Sequence, residues 1–280
     1  MQTVRIGIVY PGQMGSFVAA SAANSGQDVC WASEGRSQRS RERAAKFNLT
    51  DLDTLAALCD ACAMIFCVCP PHAAEEMAAR ILDCGFTGLY LDANAISPRR
   101  LQGIARKMTA AGVRFVDGGI VGLPIWDSSG TVLYLSGPGA DTVAGCFTAG
   151  PLQAKVIGDQ PGKASALKMC YAARTKGTTA LLCAVTAAAE SLGVSEELHR
   201  QWSDEDPALT DKILQSIRRV TAKAWRFHGE MDEISSTFEA AGLPGEFHAA
   251  AAEIYRRISE FKDAPATPPL AEVLAALIKK

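Results

Sequence analysis

The first residues of the chain have the types and spacing that bind a diphosphate. A β-branched run at residues 4–9 is followed by a turn and then by a stretch rich in Ala and Ser. The turn consists of Tyr10, Pro11, Gly12, Gln13, Met14 and Gly15. Small residues let the backbone approach phosphate oxygens, and a helix N-terminus offers unpaired N–H groups and the positive end of its dipole. We therefore predict that these six residues bind the pyrophosphate of a dinucleotide cofactor.

The glycine pattern of this turn is incomplete. In the pattern G-x-G-x-x-G, Gly12 and Gly15 occupy the second and third glycine positions, whereas Tyr10 stands at the first. A single incomplete match is weak evidence, so the remaining chain has to supply the context.

The turn after the second predicted strand favours NADP. In NAD-specific folds, an acidic residue near this point binds the 2′-hydroxyl of the ribose. Here the predicted strand 28–32 leads into Ser33, Arg36 and Ser37. An arginine can bind the oxygens of a 2′-phosphate in bidentate fashion, and we predict that these three residues contact that phosphate. Glu34 leaves NAD as the alternative, since its carboxylate could accept a hydrogen bond from the 2′-hydroxyl.

The elements that position these residues alternate between strand and helix in the first half of the chain. Strands are predicted at 4–9, 28–32, 63–68, 88–92, 113–117, 131–136 and 154–157, with helices that begin near Gln13, Ser40, His72 and Pro98. After about residue 160, helices alone are predicted, at 163–192, 195–201, 207–227, 230–241, 246–262 and 268–279. Alternation of this kind predicts a parallel, doubly wound sheet that binds its ligand at the carboxyl ends of the strands. We therefore predict an α/β Rossmann-type domain at residues 1–160, followed by an all-α domain for substrate binding and dimerisation at residues 161–280.

Composition and charge limit the partners. The net charge of −2 argues against a nucleic-acid surface, and no apolar run approaches the ~20 residues of a membrane span. An odd number of cysteines, nine, in a chain without a signal segment is typical of reduced thiols in the cytoplasm. The helix at 163–192 is apolar around most of its circumference, which favours burial against a second subunit. We therefore predict a cytoplasmic homodimer that acts on a small molecule.

A metal site is not predicted. The densest cysteine cluster contains Cys59, Cys62, Cys67 and Cys69, but its spacing does not give the paired C-x₂-C pattern of zinc sites. Cys67 and Cys69 belong to the apolar run 63–69 that contains the third predicted strand, and free cysteine is a common core residue. We interpret the cluster as part of the core.

Several motifs occur in an order that resembles a known superfamily. Cys69-Pro70-Pro71 follows the third predicted strand, Leu91-Asp92-Ala93-Asn94-Ala95-Ile96-Ser97-Pro98 the fourth, and Asp117-Gly118-Gly119 ends the fifth. Lys168-Met169-Cys170-Tyr171 lies on the long helix, and Gly229-Glu230-Met231-Asp232-Glu233-Ile234 comes late in the chain. This order resembles the β-hydroxyacid dehydrogenases, relatives of 6-phosphogluconate dehydrogenase and 3-hydroxyisobutyrate dehydrogenase. It is most similar to a branch with an uncharacterised phosphogluconate-dehydrogenase-like C-terminal domain.

The resemblance implies roles for individual residues. The superfamily keeps its catalytic lysine in the first turns of the long helix, which here implies Lys168. Asn94, at the tip of a strand, is expected to face the nicotinamide ribose or the substrate and is our second catalytic candidate. Cys69, Pro70 and Pro71 are expected beside the cofactor. The backbone at Gly118 and Gly119 is expected to approach the substrate, because glycine tolerates close contact.

A polar stripe on the long helix supplies candidates for the substrate pocket. At helical spacing, Lys168 shares one face with Thr175 and Thr179, while Tyr171 and Lys176 lie at its edges. We predict that the stripe, together with His228 from a later helix, binds substrate. The alternative is that the hydroxyls donate to the preceding turn and the lysines extend to solvent.

Together these features predict an NADP-dependent oxidoreductase that transfers a hydride between nicotinamide and a small hydroxy acid, aldehyde or ketone, with Lys168 exchanging the proton. Val121 stands where the superfamily usually has serine, and Ala172 where it has an asparagine paired with the lysine. Two alternatives therefore stay open. One is an imine reductase on the same fold, and the other is a dinucleotide-binding regulatory protein without chemistry.

Overall fold

Eight strands form one sheet in the residues that the computed structural model describes, 3–126 and 130–279. They are β1 (Arg5–Val9), β2 (Asp28–Trp31), β3 (Thr50–Asp51), β4 (Met64–Cys67), β5 (Leu89–Asp92), β6 (Arg114–Val121), β7 (Thr131–Ser136) and β8 (Leu152–Gly158). Their spatial order is β3-β2-β1-β4-β5-β6-β7-β8. The first six positions follow the 3-2-1-4-5-6 order of dinucleotide-binding sheets, and the crossover between β1 and β4 is the switch point at which such sheets bind ligands.

The sheet is parallel from β3 to β6, and its direction then reverses. β7 pairs antiparallel with β6, and β8 pairs parallel with β7. The sheet is therefore mostly parallel, as predicted, and mixed at this edge. Only residues 122–130 connect β6 to β7, and a parallel pair needs a crossover of a dozen or more residues.

In the first part of the chain the helices alternate with the strands, and after β8 the described residues form helices without further strands. Their bounds are α1 (Gln13–Asn24), α2 (Gln38–Lys46), α3 (Leu55–Ala61), α4 (Ala74–Asp83), α5 (Pro98–Ala110), α6 (Ala140–Ala144), α7 (Lys163–Leu192), α8 (Ser195–Glu205), α9 (Leu209–Ala240), α10 (Glu246–Arg257) and α11 (Leu270–Ile278). Short 3₁₀ turns lie at Pro71–Ala73 and Ser259–Phe261. This sheet followed by helices confirms the predicted fold class. None of the helices in the described part of the chain is both long and apolar enough to span a membrane.

The strands are apolar because both faces of the sheet are buried in core clusters. Along β4, Met64 and Phe66 pack in one core cluster, whereas Ile65 and Cys67 pack in the other. Successive side chains of a strand point to opposite faces, so a strand covered on both sides is apolar throughout. Cys59, Cys62 and Cys69 are buried as well. Within the described ranges, no three His, Cys, Asp or Glu side chains are grouped as metal ligands.

The helical half differs from prediction in one long element. Helices were expected at 207–227 and 230–241, with a break at residues 228–229, but α9 is continuous. A glycine inside a helix costs about 1 kcal/mol relative to alanine. Buried Ala224, Met231 and Ile234 in α9 offset that cost by packing.

The chain divides into two compact units, one ending at Met169 and the other beginning at Cys170. The division falls inside α7, whereas the predicted domains were 1–160 and 161–280. The first unit contains the sheet, α1–α6 and the start of α7. The second contains the rest of α7 and α8–α11.

Candidate active site

The turn between β1 and α1 keeps the backbone shape of a glycine turn without its first glycine. Tyr10 has a φ of 65°, in the left-handed region that glycine adopts with little cost and other residues rarely adopt. The backbone N–H of Gly12 donates to the carbonyl of Tyr10 at 2.7 Å. The tyrosine therefore replaces the expected glycine without changing the conformation that the turn requires.

Gly12 and Gly15 have separate functions in this turn. A Cβ atom at Gly15 would lie 2.2 Å from the carbonyl oxygen of Tyr10, so a side chain there would push α1 away from the turn. A Cβ atom at Gly12 would meet nothing nearer than 4.0 Å, so this residue faces open space. Gly12 is also the N-cap of α1, whose first turn, beginning with Gln13 and Met14, contains no acidic residue. Uncapped N–H groups beside open space fit the pyrophosphate of a dinucleotide.

Arg36 lies directly over the ring of Tyr10. Its guanidinium carbon is 3.7 Å from the ring centroid. The two residues line a cavity of about 10 Å³, together with Ile8, Val9, Ala32, Glu34, Leu55, Leu58 and Arg80. Arg80, in the last turn of α4, was not predicted for this site. The sequence gives no signal for it, because only the packing of α4 brings this exposed arginine to the loop that follows β2.

The loop after β2 is held mainly through its backbone. Ser33 is buried, and its N–H donates to the Asp51 carboxylate at 3.1 Å. Its carbonyl accepts hydrogen bonds at 3.0 Å from the Arg36 N–H and from Arg41 Nη2. Ser37 is the N-cap residue of α2 and is exposed. Phosphate contacts of Ser33 and Ser37 remain predictions.

The side chain of Asn94 joins the ends of β4 and β5. Its Oδ1 accepts a hydrogen bond from the backbone N–H of Cys69 at 2.6 Å, and its Nδ2 donates to Cys67 Sγ at 3.5 Å. Asn94 is only 2% exposed. Asn94 therefore fixes the start of the Cys69-Pro70-Pro71 segment, while contact with a cofactor or substrate remains a prediction.

Asp92 carries a buried carboxyl group next to Asn94. Its Oδ1 accepts a hydrogen bond from the Asn94 N–H at 3.0 Å, and the residue is fully buried. Burial raises the pKa of Asp92 well above its ordinary value, and the nearby Cys67 thiol adds to the rise. The neutral acid is thereby favoured at this position.

Asp117 fixes the start of α7. Its Oδ2 accepts backbone N–H bonds from Gly162, Ala164 and Ser165 at 2.8, 3.0 and 3.1 Å. Its Oδ1 accepts from Ser165 Oγ at 2.6 Å, and Ser136 Oγ donates to Oδ2 at 2.9 Å. Burial raises the pKa of Asp117, and these hydrogen bonds oppose that rise. The carboxyl group thus caps the helix that carries Lys168.

Lys168 reaches back from α7 to β6. Its Nζ donates to the carbonyl of Ile120 at 2.6 Å. A Cβ atom at Gly119 would lie 2.5 Å from the Ala164 carbonyl oxygen, so glycine is needed for this close approach of β6 and α7. A Cβ atom at Gly118 would lie 2.9 Å from a leucine side chain of β5. Both glycines are therefore required by packing, and their contact with substrate remains a prediction.

In the second unit, the threonines of the stripe donate to their own helix. Thr175 Oγ1 donates to the carbonyl of Tyr171 at 3.1 Å, and Thr179 Oγ1 donates to that of Thr175 at 3.1 Å. Tyr171 is 44% exposed. These are the backbone contacts that the alternative interpretation of the stripe anticipated, and they leave the hydroxyl oxygens able to accept hydrogen bonds.

Lys176 forms an ion pair in the interior of the second unit. It pairs with Glu230, and the two side chains are 14% and 10% exposed. Its Nζ lies 4.4 Å from the ring centroid of Phe227, and Tyr255 donates its hydroxyl to the Lys176 carbonyl at 2.7 Å. His228 lies on α9 and is half-buried. Lys176 therefore joins α7 to α9, and contact of Lys176 and His228 with substrate stays a prediction.

The first unit brings most of the predicted cofactor residues to one edge. β1, β2, β4, β5 and β6 run parallel, so their carboxyl ends share an edge. The residues at or near these ends are the turn 10–15, the loop 33–37, the segment 69–71, Asn94, and Ile120 with its partner Lys168. This is the edge at which open α/β sheets bind their ligands.

Comparison with known families agrees with this arrangement. Residues 5–146 match the family model described as the NAD binding domain of 6-phosphogluconate dehydrogenase. The chain belongs to the 6-phosphogluconate dehydrogenase-like family. Residues 189–258 also match a domain of unknown function, DUF1932. As a member of this family, the protein is a nicotinamide-dependent oxidoreductase, and its first unit is an NAD-binding domain.

Solved structures share the fold of this 6-phosphogluconate dehydrogenase-like protein. A 3-hydroxyisobutyrate dehydrogenase from Mycobacterium tuberculosis is 14% identical with a TM-score of 0.71, covering 99% of this chain and 100% of its own. A reductive aminase from Aspergillus terreus in complex with NADPH is 18% identical with a TM-score of 0.58, covering 98% and 99%. An imine reductase variant from Myxococcus stipitatus in complex with NAD⁺ is 17% identical with a TM-score of 0.58, covering both chains fully at 100%. No curated protein sequence matches the chain.

Proposed function

We propose that this protein is an NADP-dependent oxidoreductase that transfers a hydride between nicotinamide and a small hydroxy acid, aldehyde or ketone. In this proposal Lys168 exchanges the proton. The observation that carries it is the 2.6 Å hydrogen bond from Lys168 Nζ to the Ile120 carbonyl. That bond holds a cation at the edge of the sheet where the dinucleotide turn also lies.

The chemistry divides between cofactor and chain. A bound nicotinamide supplies or accepts the hydride. Reduction of a carbonyl places negative charge on its oxygen, and a nearby ammonium stabilises that charge and donates a proton. Lys168 has three N–H donors, one of which is directed at Ile120, so its position relative to β6 is fixed. In the reverse direction, a neutral Lys168 amine would accept the proton of a hydroxyl group.

Replacement of Lys168 tests this role. We expect Lys168→Met to lower kcat by at least ~10²-fold, because the proton donor is lost, while the Kd of NADPH changes little. Steady-state kinetics and coenzyme titration measure the two effects. Lys155→Met, at an exposed lysine of β8, is the matched control. Unaltered turnover in the Lys168 variant would remove this residue from the mechanism.

The preference for NADP is assigned to Arg36. Arg36 and Arg80 both line the small cavity at the end of β2, beside the loop where the ribose of a dinucleotide is expected. Both arginines would attract a 2′-phosphate, whereas Glu34 in the same lining would repel it.

The coenzyme preference predicts the effect of Arg36→Ala. We expect the Kd of NADPH to rise about tenfold or more, since a charge-assisted hydrogen bond is lost, with a much smaller rise for NADH. Titration of both reduced coenzymes measures the difference. Arg43→Ala, at a half-buried arginine of the adjoining helix α2, is the control. Equal losses for NADPH and NADH would contradict the phosphate contact.

Reduction of C=N bonds is the second candidate. The likeness to a reductive aminase and an imine reductase favours it, although their TM-scores are lower than that of the 3-hydroxyisobutyrate dehydrogenase. An iminium already carries positive charge and gains less from a cationic lysine, so Lys168 favours carbonyl chemistry. Turnover of matched panels of carbonyl compounds and cyclic imines distinguishes the two.

The helical part of the chain is assigned to substrate and subunit contacts. In this proposal, residues 161–280 form the substrate and dimerisation domain, with Tyr171, Thr175, Thr179 and His228 as pocket residues. The exposed apolar side chains of the second unit support the dimer.

A further inference from the structure

Tyr10 stands where the glycine turn normally has its first glycine. Both the backbone and the ring of this residue differ from what a glycine would provide. Its backbone has a φ of 65°, a conformation that is unfavourable for tyrosine and not for glycine. Its ring lies 3.7 Å below the guanidinium carbon of Arg36. Glycine at this position would relax the backbone and remove the ring.

The contact with the ring restricts Arg36. This arginine lies on the loop between β2 and α2 and is half-buried. Its backbone is fixed by the hydrogen bond of its N–H to the Ser33 carbonyl at 3.0 Å. The side chain has many rotamers, and ordering them on binding reduces affinity. A flat aromatic face beneath a planar guanidinium restricts these rotamers before any ligand arrives.

We propose that Tyr10 is a positioning residue for coenzyme discrimination. Its ring holds the Arg36 guanidinium where it meets the 2′-phosphate of NADP, so the aromatic residue at the first glycine position increases the preference for NADP over NAD. This inference rests on the proposed contact of Arg36 with that phosphate. The binding energy belongs to Arg36, and Tyr10 acts through it.

A packing role for Tyr10 makes a different prediction. Tyr10 shares its cavity lining with Leu55 and Leu58 of α3, so its ring could serve only to fill space. Loss of packing would then weaken NADPH and NADH alike, because both coenzymes share the adenosine and pyrophosphate groups. The ratio of the two dissociation constants therefore separates positioning from packing.

The test uses three substitutions in the full chain. Tyr10→Phe keeps an aromatic face, Tyr10→Leu removes it while retaining bulk, and Tyr10→Gly removes it and relieves the backbone. NADPH and NADH are titrated into each variant by fluorescence, and circular dichroism confirms folding. We expect Leu and Gly to reduce the preference for NADPH by about threefold to fivefold, the size expected for a partly exposed cation–π contact. The Phe variant should keep the wild-type ratio.

A double variant connects the effect to Arg36. In the Arg36→Ala background, adding Tyr10→Leu should change the ratio no further, because the ring has no guanidinium to hold. A ratio unchanged by Tyr10→Leu and Tyr10→Gly, in a protein where Arg36→Ala does discriminate, would overturn this inference and leave the proposed function intact. If Arg36→Ala weakens both coenzymes equally, the assignment of Arg36 fails and this inference fails with it.

Discussion

The carboxyl group of Asp92 has a higher pKa in the native state than in the unfolded chain. In the native state it is fully buried, and burial raises the pKa of Asp92 well above its ordinary value. In the unfolded chain the group ionises near pH 4. Above about pH 4 the unfolded group ionises while the raised pKa of Asp92 favours the protonated native group, so unfolding releases a proton and the free energy of unfolding falls as pH rises.

This linkage predicts the effect of Asp92→Asn on stability. The amide keeps the oxygen that accepts the Asn94 N–H bond and cannot ionise. We expect the free energy of unfolding to decline less steeply with pH above about pH 4, by up to about 1.4 kcal/mol per pH unit while the native carboxyl group stays protonated. Urea denaturation across that range measures the slope. Asp83→Asn, at an exposed aspartate of α4, is the control, and equal slopes in the two variants would refute the linkage.

Residue types could be predicted for this site, but most of their contacts could not. The sequence suggested that Asn94 lies at a strand tip, and the structure places it between β4 and β5. It gave no reason to expect that the Asn94 amide would bind the Cys69 N–H, 25 positions away. Asp117 directly precedes two glycines in the sequence, yet its carboxyl group caps α7, whose first residues lie more than 40 positions later. Such contacts depend on tertiary packing.

At the scale of elements, periodicity predicted the apolar strands and helices and missed those without a pattern. β4 and β5 are buried on both faces, and such runs are readily recognised in a sequence. β3 has only two residues, both exposed, so no apolar alternation marks it. The reversal at β7 depends on the connection that follows β6, because alternation of elements alone does not encode strand direction.

The junction of β6 and α7 is fixed at two points. The Asp117 carboxyl group binds the N–H groups at the start of α7, and Lys168 Nζ binds the Ile120 carbonyl further along β6. Between them, Gly119 lets the helix backbone approach the strand closely. The strand therefore sets both the position and the rotation of the first turns of α7, up to Lys168. In the proposed reaction, this junction would remove the entropic cost of ordering Lys168 when substrate binds.

At the scale of the whole molecule, the second unit leaves apolar surface exposed. A groove of about 540 Å³ is lined by Cys170, Ala173, Arg174, Thr178, Leu181, Phe238, Leu243, Pro244, Phe247 and His248. Leu243 and Phe247 are each 54% exposed, and Leu181 is 48% exposed. Large apolar side chains clustered at a surface mark an interaction site more often than an ordinary surface. A long helix that is rich in Ala adds to this surface, which supports the proposed homodimer.

The dimer predicts a change of mass when this surface is charged. We expect the wild-type protein to be a dimer at micromolar concentration and the double variant Leu243→Asp/Phe247→Asp to be a monomer. Burying two unpaired carboxylates in an apolar interface should weaken association by at least about a hundredfold. Sedimentation velocity measures the mass, and circular dichroism shows that the helical second unit of the variant remains folded. Ile125→Asp, at an exposed apolar residue of the first unit, is the control and should stay dimeric. A wild-type monomer, or a double variant that remains dimeric, would show that this apolar surface does not join two copies of the chain.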